Sequence, residues 1–378
     1  MTLPLDIYQI KGADQILTPA LLVYPGVVDA NIQATLKTAG NDPNRWRPHI
    51  KTAKIPAILQ RFIRYGVVNF KCSTTLELLT ACKTGATDVL LAYPVMGANA
   101  MRAREIAKEF PSTRISVLVE TRDQAAMWRG TNIGIFIDVN PGMDRTGIAE
   151  GRATDIAELA QQVGAQFRGI HYYDGHMSAF GAFERETRAH QGYDRLLHLI
   201  NLLKAAHVNV GEVITSGTPA APFAMSYNGF RGAHFVHRIS PGTVVYNDMT
   251  SLEQLPGFGY QAAAVVLSTV VSRPTEGFIT CDAGHKSVSA DAGVPTCTVI
   301  GHPDWTPTKP SEEHLPLEVP PTTAASLGQK IYLLPRHVCP TVNNFDEALM
   351  VVNGNIDSVE PVSARGHETP LVSAACIT

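Results

Sequence analysis

A lysine ends a short segment that could form a β-strand, Arg47-Pro48-His49-Ile50-Lys51. If residues 47–51 form a strand of a parallel barrel, Lys51 lies at the carboxyl end, where such barrels carry their active sites. A lysine amine in that place can form a Schiff base with an aldehyde. The alternative is an ordinary surface lysine, and the position alone does not decide between the two.

Cations and titratable groups also follow two later predicted strands. Residues 134–139 run into a loop that contains Arg145, which could meet an anionic ligand or pair with the preceding aspartate. Residues 167–173 run into a dense polar cluster that ends at His176. His176 is our candidate auxiliary base, because an imidazole titrates near neutral pH. A structural hydrogen bond is the alternative for this histidine.

Small hydroxyl residues and glycines follow the predicted strand at residues 212–216. Hydroxyls and free backbone N–H groups in such turns can form a nest for phosphate. Barrels often bind phosphate just after their last two strands. Each turn by itself could be an ordinary turn, but their joint placement indicates a phosphate site. The candidate phosphate ligands are Thr215, Ser216, Gly217, Thr218, Gly242 and Thr243.

An imidazole and a thiol stand two residues apart at His337 and Cys339. Residues two apart on a strand point to the same face, and Pro340 favours an extended backbone at the residue before it. One imidazole and one thiolate on one face can bind a divalent metal, most naturally zinc, with manganese or magnesium as the other candidates. The alternative is a buried cysteine beside a surface histidine.

A lysine at a barrel mouth with a phosphate nest across it suggests pyridoxal 5′-phosphate as the cofactor. Lys51 would hold the aldehyde, and the nest would hold the phosphate. This interpretation requires that the residues meet at one end of a barrel. The predicted strands and helices therefore determine whether Lys51 and the phosphate nest can bind one cofactor.

Short apolar runs alternate with helical patterns over the first two thirds of the chain. This alternation implies parallel strands with right-handed crossovers, and eight units fit an α/β fold of the (β/α)8 TIM-type barrel class. An open doubly wound sheet is the alternative, although no G-x-G-x-x-G follows the first strand. The predicted strands are residues 18–24, 47–51, 67–72, 88–92, 115–120, 134–139, 167–173 and 212–216.

Helical periodicity fades in the last third of the chain, where valine, threonine, proline and glycine dominate. This texture predicts a separate β-rich C-terminal domain of short strands and turns. The Asn353-Gly354 dipeptide between two apolar runs predicts a hairpin. We therefore predict a cofactor-binding barrel over residues 16–250. A β-rich domain over residues 1–15 and 251–378 would carry the metal pair.

The composition is that of an ordinary globular protein. The 378 residues include 31 Lys and Arg against 34 Asp and Glu, a net charge of −3, which argues against a nucleic-acid partner. A hydrophobic share of 45% argues against a disordered chain. We see neither a signal peptide nor an apolar run of the ~18 residues that a membrane helix needs. The six scattered cysteines form no C-x-x-C pair, which favours reduced thiols in a cytoplasmic protein.

The segment from Arg47 to Thr52 resembles the RPHxKT/A segment of the D-threonine aldolase and D-serine dehydratase family. These are fold-type III pyridoxal phosphate enzymes related to alanine racemase, with a (β/α)8 barrel and a β domain. The resemblance covers essentially the whole chain and suggests a homodimer in which a β domain faces the partner's barrel mouth. The other matching motifs are Thr18-Pro19-Ala20, Gly142-Met143-Asp144-Arg145-Thr146-Gly147, Tyr173, Ser216-Gly217-Thr218, Pro241-Gly242-Thr243, Asp282-Ala283-Gly284-His285-Lys286 and His337-Val338-Cys339-Pro340-Thr341.

The resemblance implies a role for each matched residue. Lys51 corresponds to the Schiff-base lysine, and Arg145 to an arginine near the phenolic oxygen of the cofactor. Tyr173 corresponds to a tyrosine that lines the pyridine ring, and Tyr246 lies close to the phosphate-binding group. The residues that match phosphate-binding segments are Thr215, Ser216, Gly217, Gly242 and Thr243, and those that match the metal pair are His337 and Cys339.

The resemblance leaves more than one reaction open. Aldolases of the family usually carry H-x-D and dehydratases H-x-C, so Cys339 favours elimination of water from a D-3-hydroxy amino acid such as D-serine, D-threonine or 3-hydroxyaspartate. Retro-aldol cleavage to glycine and an aldehyde is the alternative. A racemase is disfavoured, since Ser240 stands where alanine racemase has an arginine and residues 282–286 contain no tyrosine. A non-catalytic pyridoxal phosphate-binding protein is the last alternative.

Overall fold

A computed structural model describes residues 3–370, so Cys376 lies outside the described part of the chain. The contacts divide the chain into two compact units. Of the described residues, the barrel unit consists of 35–51, 59–242 and 366–370, and the sheet unit consists of 3–34, 52–58 and 243–365. The chain thus crosses between the units at other points than the predicted domain boundaries at residues 15/16 and 250/251.

The elements have the following bounds. The strands are β1 (Ala20–Val23), β2 (Asn69–Cys72), β3 (Asp88–Leu91), β4 (Arg114–Val119), β5 (Gly134–Asn140), β6 (Ile148–Ala149), β7 (Phe167–Tyr172), β8 (Glu212–Thr215), β9 (Val236–Ile239), β10 (Ala264–Ser272), β11 (Phe278–Cys281), β12 (Cys297–Val299), β13 (Thr306–Pro307), β14 (Leu315–Glu318), β15 (Lys330–Pro335), β16 (Glu347–Val352) and β17 (Asn355–Pro361). The α-helices are α1 (Pro25–Thr38), α2 (Pro56–Arg64), α3 (Thr75–Thr84), α4 (Gly97–Glu109), α5 (Arg122–Ala126), α6 (Ala153–Val163), α7 (Ala182–Ala205), α8 (Ala221–Ser226), α9 (Met249–Gln254) and α10 (Val338–Asn343). None of the helices within residues 3–370 is both long and apolar enough to span a membrane.

The barrel unit is a ring of parallel strands. Its sheet runs in the order β2-β3-β4-β5-β7-β8-β9, with β6 paired to β5. Single parallel bridges join Trp46 to Ile239 and His49 to Lys71. These bridges place residues 46–49 between β9 and β2, so the ring closes with eight strand positions. The predicted (β/α)8 class with a second, strand-rich part is confirmed.

The count of eight strands is right, but one of its members differs from the prediction. Residues 18–24 do contain a strand, but β1 pairs with β10 and β16 in the sheet unit and is not a barrel strand. The eighth barrel strand is β9, which we did not predict. Its four residues include His237 and Arg238, so it lacks the continuous apolar run that marks a buried strand.

The sheet unit is built on one large mixed sheet. Its strands follow the order β13-β14-β11-β10-β1-β16-β17, and β15 pairs with both β10 and β12. The predicted hairpin is present between β16 and β17, where Asn353 and Gly354 have φ of 51° and 74°. Both residues tolerate this left-handed backbone, which matches the twist of the flanking strands. A core of buried side chains, such as Val266, Leu333 and Leu317, covers this sheet.

Buried ion pairs occupy the amino-terminal end of the barrel strands. Arg47 donates to Asp88 Oδ1 (2.9 Å) and to Glu212 Oε1 (3.0 Å), and Arg168 donates to Asp88 Oδ2 (2.6 Å). Arg238 pairs with Glu212 as well. Asp88 and Glu212 are the first residues of β3 and β8, so this network forms the floor of the barrel. The opposite, carboxyl-terminal end is therefore left for chemistry.

Candidate active site

Lys51 lies just beyond the segment that closes the barrel. Its backbone N–H donates to His49 Nδ1 (3.2 Å), and the N–H of Ile50 donates to the carbonyl of Lys71 (2.8 Å). The residue is half-buried. These contacts hold the backbone of Lys51 at the carboxyl-terminal end of the barrel. Its proposed bond to a cofactor stays a prediction.

Arg145 and Tyr173 lie against each other in the barrel unit. The Arg145 guanidinium carbon is 4.8 Å from the centre of the Tyr173 ring, which is close enough for a cation–π contact. The arginine loop is folded by Asn140, whose Oδ1 accepts from the N–H groups of Gly142 (2.9 Å) and Asp144 (3.1 Å). The sequence-predicted arginine and tyrosine are therefore neighbours, and the guanidinium stays accessible.

Lys71 is a site residue that we did not predict. Its Nζ lies 4.9 Å from the centre of the Tyr173 ring and 2.7 Å from Ser240 Oγ. Burial, together with the nearby cations Lys51 and Arg145, lowers the pKa of Lys71 to about 7. The sequence showed a lysine inside a short predicted strand, but such a side chain can either reach solvent or enter the interior, and the local pattern does not show which.

The turn after β8 has the features of a phosphate cradle. Ser216 has a left-handed backbone (φ 59°), and its buried Oγ has no hydrogen-bond partner within residues 3–370. A Cβ on Gly217 would lie 3.0 Å from the Tyr173 ring, and Thr218 is buried in the same turn. Thr215 is committed elsewhere, because its Oγ1 lies 2.8 Å from His237 Nε2. An unpartnered hydroxyl beside a glycine fits an anionic group.

Gly242 is the second glycine of the predicted phosphate site. A Cβ at this position would lie 2.3 Å from the carbonyl oxygen of His49, so only glycine fits without a backbone shift. Because β8 and β9 are the seventh and eighth strands of the closed ring, the two glycine turns follow the last two barrel strands. This is the usual place for phosphate in such barrels.

His176 lies in a short 3-10 turn, Gly175–Ala179, after β7. It is half-buried, and its Nδ1 is buried without a hydrogen-bond partner in the described chain. Burial lowers the pKa of His176, although Asp144 opposes the shift. The imidazole is therefore neutral at neutral pH and can accept a proton. This fits the predicted base, and it gives no sign of the alternative structural hydrogen bond at Nδ1.

The predicted metal pair lies in the sheet unit, but not on a strand. His337 caps α10, and Cys339 is in the first turn of that helix. The expectation of a strand was wrong, because proline is well tolerated in the first turn of a helix and Pro340 stands there. His337 Nδ1 lies 2.6 Å from Asp291 Oδ2, and Cys339 Sγ lies 2.9 Å from Thr52 Oγ1.

The donor set at His337 and Cys339 fits part of a zinc site. A carboxylate that holds one imidazole nitrogen is the usual arrangement around metal-binding histidines. Burial would lower the pKa of His337, but Cys339 and Asp291 raise it to about 9, so a metal must displace a proton. Within residues 3–370, no group of three or more histidine, cysteine, aspartate or glutamate side chains is placed to share a metal. The two residues are thus an incomplete ligand set.

Two further predicted residues lie in the sheet unit. Thr243 Oγ1 lies 3.7 Å from Cys339 Sγ, so this threonine is beside the predicted metal pair. Tyr246 is fully buried, and its hydroxyl donates to the carbonyl of Ala53 (2.9 Å). This phenol therefore supports the backbone two residues after Lys51, and a direct contact with a cofactor stays a prediction.

A closed ring of parallel strands together with a strand-rich sheet unit defines the fold class of this protein. The chain belongs to the alanine racemase N-terminal domain family, whose model matches residues 26–249, more than half of the chain. A serine dehydratase domain model matches residues 263–351. The fold and the sequence thus agree on both parts of the chain.

Several enzymes resemble the chain over nearly its full length. It is 26% identical to a D-threonine aldolase from Arthrobacter sp (92% of this chain, 93% of the relative) and 28% identical to a 3-hydroxy-D-aspartate aldolase from Paracoccus denitrificans (96% of both). A D-threo-3-hydroxyaspartate dehydratase from Delftia sp. is 24% identical (87% and 92%). The crystal structure of D-threonine aldolase from Filomicrobium marinum matches with a TM-score of 0.85 and 27% identity, over 95% of this chain and 98% of that one. The chain is therefore an enzyme.

Proposed function

We propose that this enzyme is a pyridoxal phosphate-dependent lyase that acts on D-3-hydroxy amino acids. The observation that carries the proposal is the assembly around Tyr173, with Arg145 over its ring and Gly217 at its edge. Beside it, Ser216 offers an unpartnered buried hydroxyl for a phosphate. Membership of a family of pyridoxal phosphate enzymes and the named relatives support the same cofactor and substrate class.

The barrel unit would hold the cofactor through residues with separate tasks. Lys51 would bind the aldehyde carbon, Arg145 would face the phenolic oxygen, and Tyr173 would line the ring. The turns at Ser216–Thr218 and Gly242 would bind the phosphate through hydroxyl and backbone N–H groups. When bound, pyridoxal phosphate supplies an electron sink for the charge that develops at the substrate α-carbon.

The sheet unit would hold a divalent metal on His337 and Cys339. We propose zinc, because thiolate and imidazole are ligands that zinc prefers. When bound, such a metal supplies Lewis acidity toward a substrate hydroxyl. The task of Asp291 is to fix the ring of His337, since it accepts from Nδ1 and leaves Nε2 for the metal.

Two proton transfers by the chain's own residues separate the two candidate reactions. If the Lys51 amine takes the α-proton, hydroxide leaves from the β-carbon as water, and the released enamine is hydrolysed to a 2-oxo acid and ammonia. If a neutral imidazole such as His176 takes the hydroxyl proton, the Cα–Cβ bond breaks and the products are glycine and an aldehyde. A depressed pKa suits His176 to the second task, because the ring must be unprotonated to act as a base.

Dehydration is the reaction that we propose first, and retro-aldol cleavage is the second candidate. Cys339 favours dehydration, because the family's dehydratases carry the H-x-C pair. The two relatives of higher identity are aldolases, which favours cleavage. Racemisation is not proposed, since residues 282–286 contain no tyrosine and Lys286 is paired with Glu312 and Glu313.

Product analysis with D-threonine tests this proposal. The holoenzyme is assayed as isolated, after chelation, and after zinc or manganese is added back. 2-Oxobutanoate with ammonia would establish dehydration, and glycine with acetaldehyde would establish aldol cleavage. His337→Ala and Cys339→Ala should each abolish metal-dependent turnover. If no product forms from D-threonine, D-serine or D-3-hydroxyaspartate, the proposed lyase activity is wrong.

We also propose a cytoplasmic homodimer. The chain has scattered cysteines, and those within residues 3–370 are free thiols, which agrees with a reducing compartment. The dimer rests on the family resemblance. Sedimentation equilibrium of the holoenzyme would test it, and a monomer at assay concentrations would contradict it.

A further inference from the structure

Lys71 is the feature of the barrel unit that the proposed function leaves unused. It is the third residue of β2 and is only 2% exposed. A lysine amine is almost never fully buried unless it is paired, because desolvation of the ammonium is costly. A cation kept in the barrel interior therefore needs specific partners.

The partners of Lys71 form a continuous chain of buried hydrogen bonds. Nζ bonds Ser240 Oγ (2.7 Å) and His171 Nε2 (3.2 Å), and His171 Nδ1 bonds Asp138 Oδ1 (2.6 Å). The ends of the chain extend to the two loops of the site. Thr146, next to Arg145, donates to Asp138 Oδ2 (2.7 Å), and Ser240 Oγ donates to the carbonyl of Ser216 (2.9 Å).

We propose that Lys71 is a positioning residue of this site. Its buried amine ties the Arg145 loop to the Ser216 turn and shares one proton with His171. It acts through Tyr173, Ser240 and the loop backbones, and it does not replace Lys51 as the amine that binds the aldehyde. The proposal rests on the proposed function only in taking pyridoxal phosphate as the ligand.

The geometry allows the shared proton two positions. With the proton on Lys71, the ammonium donates to Nε2 of a neutral His171, whose Nδ1–H donates to Asp138. With the proton on His171, both ring nitrogens donate, and the neutral amine accepts. The Asp138 carboxylate stabilises either form. Burial opposes the charged imidazole, so the pKa of His171 is lowered, as is the pKa of Lys71.

The charged groups that face the Lys71 amine come from several elements. The cations Lys51 and Arg145 favour the neutral amine, and the carboxylates of Asp138 and Asp174 favour the ammonium. Because the balance places the pKa of Lys71 at about 7, the amine–imidazole pair should gain or lose its proton within the physiological range. The state of this pair would then set the charge that an incoming phosphorylated aldehyde meets.

Binding of pyridoxal phosphate to apoprotein variants provides the first arm of the test. Lys71→Met removes the amine at similar volume, Lys71→Arg keeps a cation, and Lys83→Met alters an exposed lysine on α3 as the matched control. We expect Lys71→Met to weaken binding about tenfold or more, the loss typical of one charge-assisted hydrogen bond. Lys71→Arg should restore most of the affinity, and Lys83→Met should bind as the parent does. Unchanged affinity in Lys71→Met would overturn the proposal.

A second arm uses the unaltered apoprotein, so it does not depend on whether a variant folds. The ring signals of 15N-labelled histidines are followed by NMR from about pH 6 to about pH 9, and His171 is assigned as the signal missing in His171→Asn. We expect the His171 ring signals to shift as its partner Lys71, whose pKa is lowered to about 7, loses its proton. A flat titration curve for this ring would contradict the shared proton.

The two arms also separate this proposal from the proposed function. If the parent protein itself fails to bind pyridoxal phosphate, the proposed function is wrong, and the NMR arm alone decides on the Lys71–His171 pair. If the parent binds and Lys71→Met binds equally well, only the role of Lys71 is wrong.

Discussion

At the scale of single residues, most candidate groups of the site could be predicted from the sequence, whereas Lys71 could not. Lys51 and Arg145 follow predicted strands and were found from position and motif. Lys71 was missed because the prediction of a strand at residues 67–72 does not tell which side chains face the barrel interior. Only the closure of the ring turns this lysine inward, and closure depends on β9, at the other end of the barrel sequence.

The carboxylate of Asp291 gives a residue-scale prediction for the metal pair. Asp291→Asn removes the negative charge that holds Nδ1 of His337. We expect zinc affinity to fall about 10- to 100-fold, as is typical for partners of metal-binding histidines. Competition with a chromophoric chelator measures it. Asp357→Asn, on the exposed part of β17, is the control. Equal zinc affinity in both variants would remove Asp291 from the site.

At the scale of elements, the barrel was predicted from alternation, and the identity of its strands was not. Residues 18–24 are apolar enough for a buried strand in either unit, so their sequence does not show whether the strand belongs to the barrel or to the sheet unit. β9 contains Arg238, which pairs with Glu212 in the barrel floor. This charged residue interrupts the apolar pattern by which a buried strand is usually predicted. The partner of a β-strand can lie far away in the sequence, so the local sequence pattern of one strand does not show which strand it pairs with.

The barrel floor gives a prediction of stability. Asp88→Asn removes one of the two buried carboxylates that Arg47 and Arg168 share, so that three buried guanidiniums, with Arg238, face Glu212 alone. We expect this change to lower the free energy of unfolding by about 3–5 kcal/mol. Asp155→Asn breaks the exposed pair with Arg152 and should cost less than about 1 kcal/mol. Denaturant unfolding of both apoproteins measures the difference, and equal costs would show that the floor pairs contribute little.

The same network sets a pH dependence. Burial would raise the pKa of Asp88, but the guanidiniums of Arg47 and Arg168 lower it far below its ordinary value of 3.8. The stabilisation is therefore complete above about pH 4 and is lost as the pH falls further, because only the unfolded chain then takes up the proton readily. Asp88→Asn should flatten this part of the stability curve, whereas Asp155→Asn should leave it unchanged.

The glycine turn after β9 gives a second prediction at this scale. Gly242→Ala places a Cβ 2.3 Å from the His49 carbonyl and must push apart β9 and the segment before Lys51. We expect a loss of about 1–3 kcal/mol in stability and weaker binding of pyridoxal phosphate. Gly26→Ala, exposed on α1 with nothing within 4 Å of the added carbon, should be neutral or slightly stabilising. Unfolding curves compare the two, and a harmless Gly242→Ala would contradict the cradle.

At the scale of the whole molecule, sequence order and structural units differ. The barrel unit and the sheet unit each consist of several separate segments of the chain. The domain boundaries that were predicted from composition and periodicity therefore differ from the boundaries of these units. The predicted metal pair shows the same limit on a small scale, since H-x-C could be placed on a strand or at a helix start. The motif order, by contrast, was enough to predict the family and the barrel class.

The most direct test of the central claim is to locate the bound cofactor on the chain. Borohydride reduction of the holoenzyme followed by peptide mapping should place pyridoxyl phosphate on Lys51, and Lys51→Ala should lose the label while Lys83→Met keeps it. Lys71 is the decisive competitor, because its lowered pKa would also make it a nucleophile near neutral pH. Label on Lys71, or no label on either lysine, would contradict the proposed site.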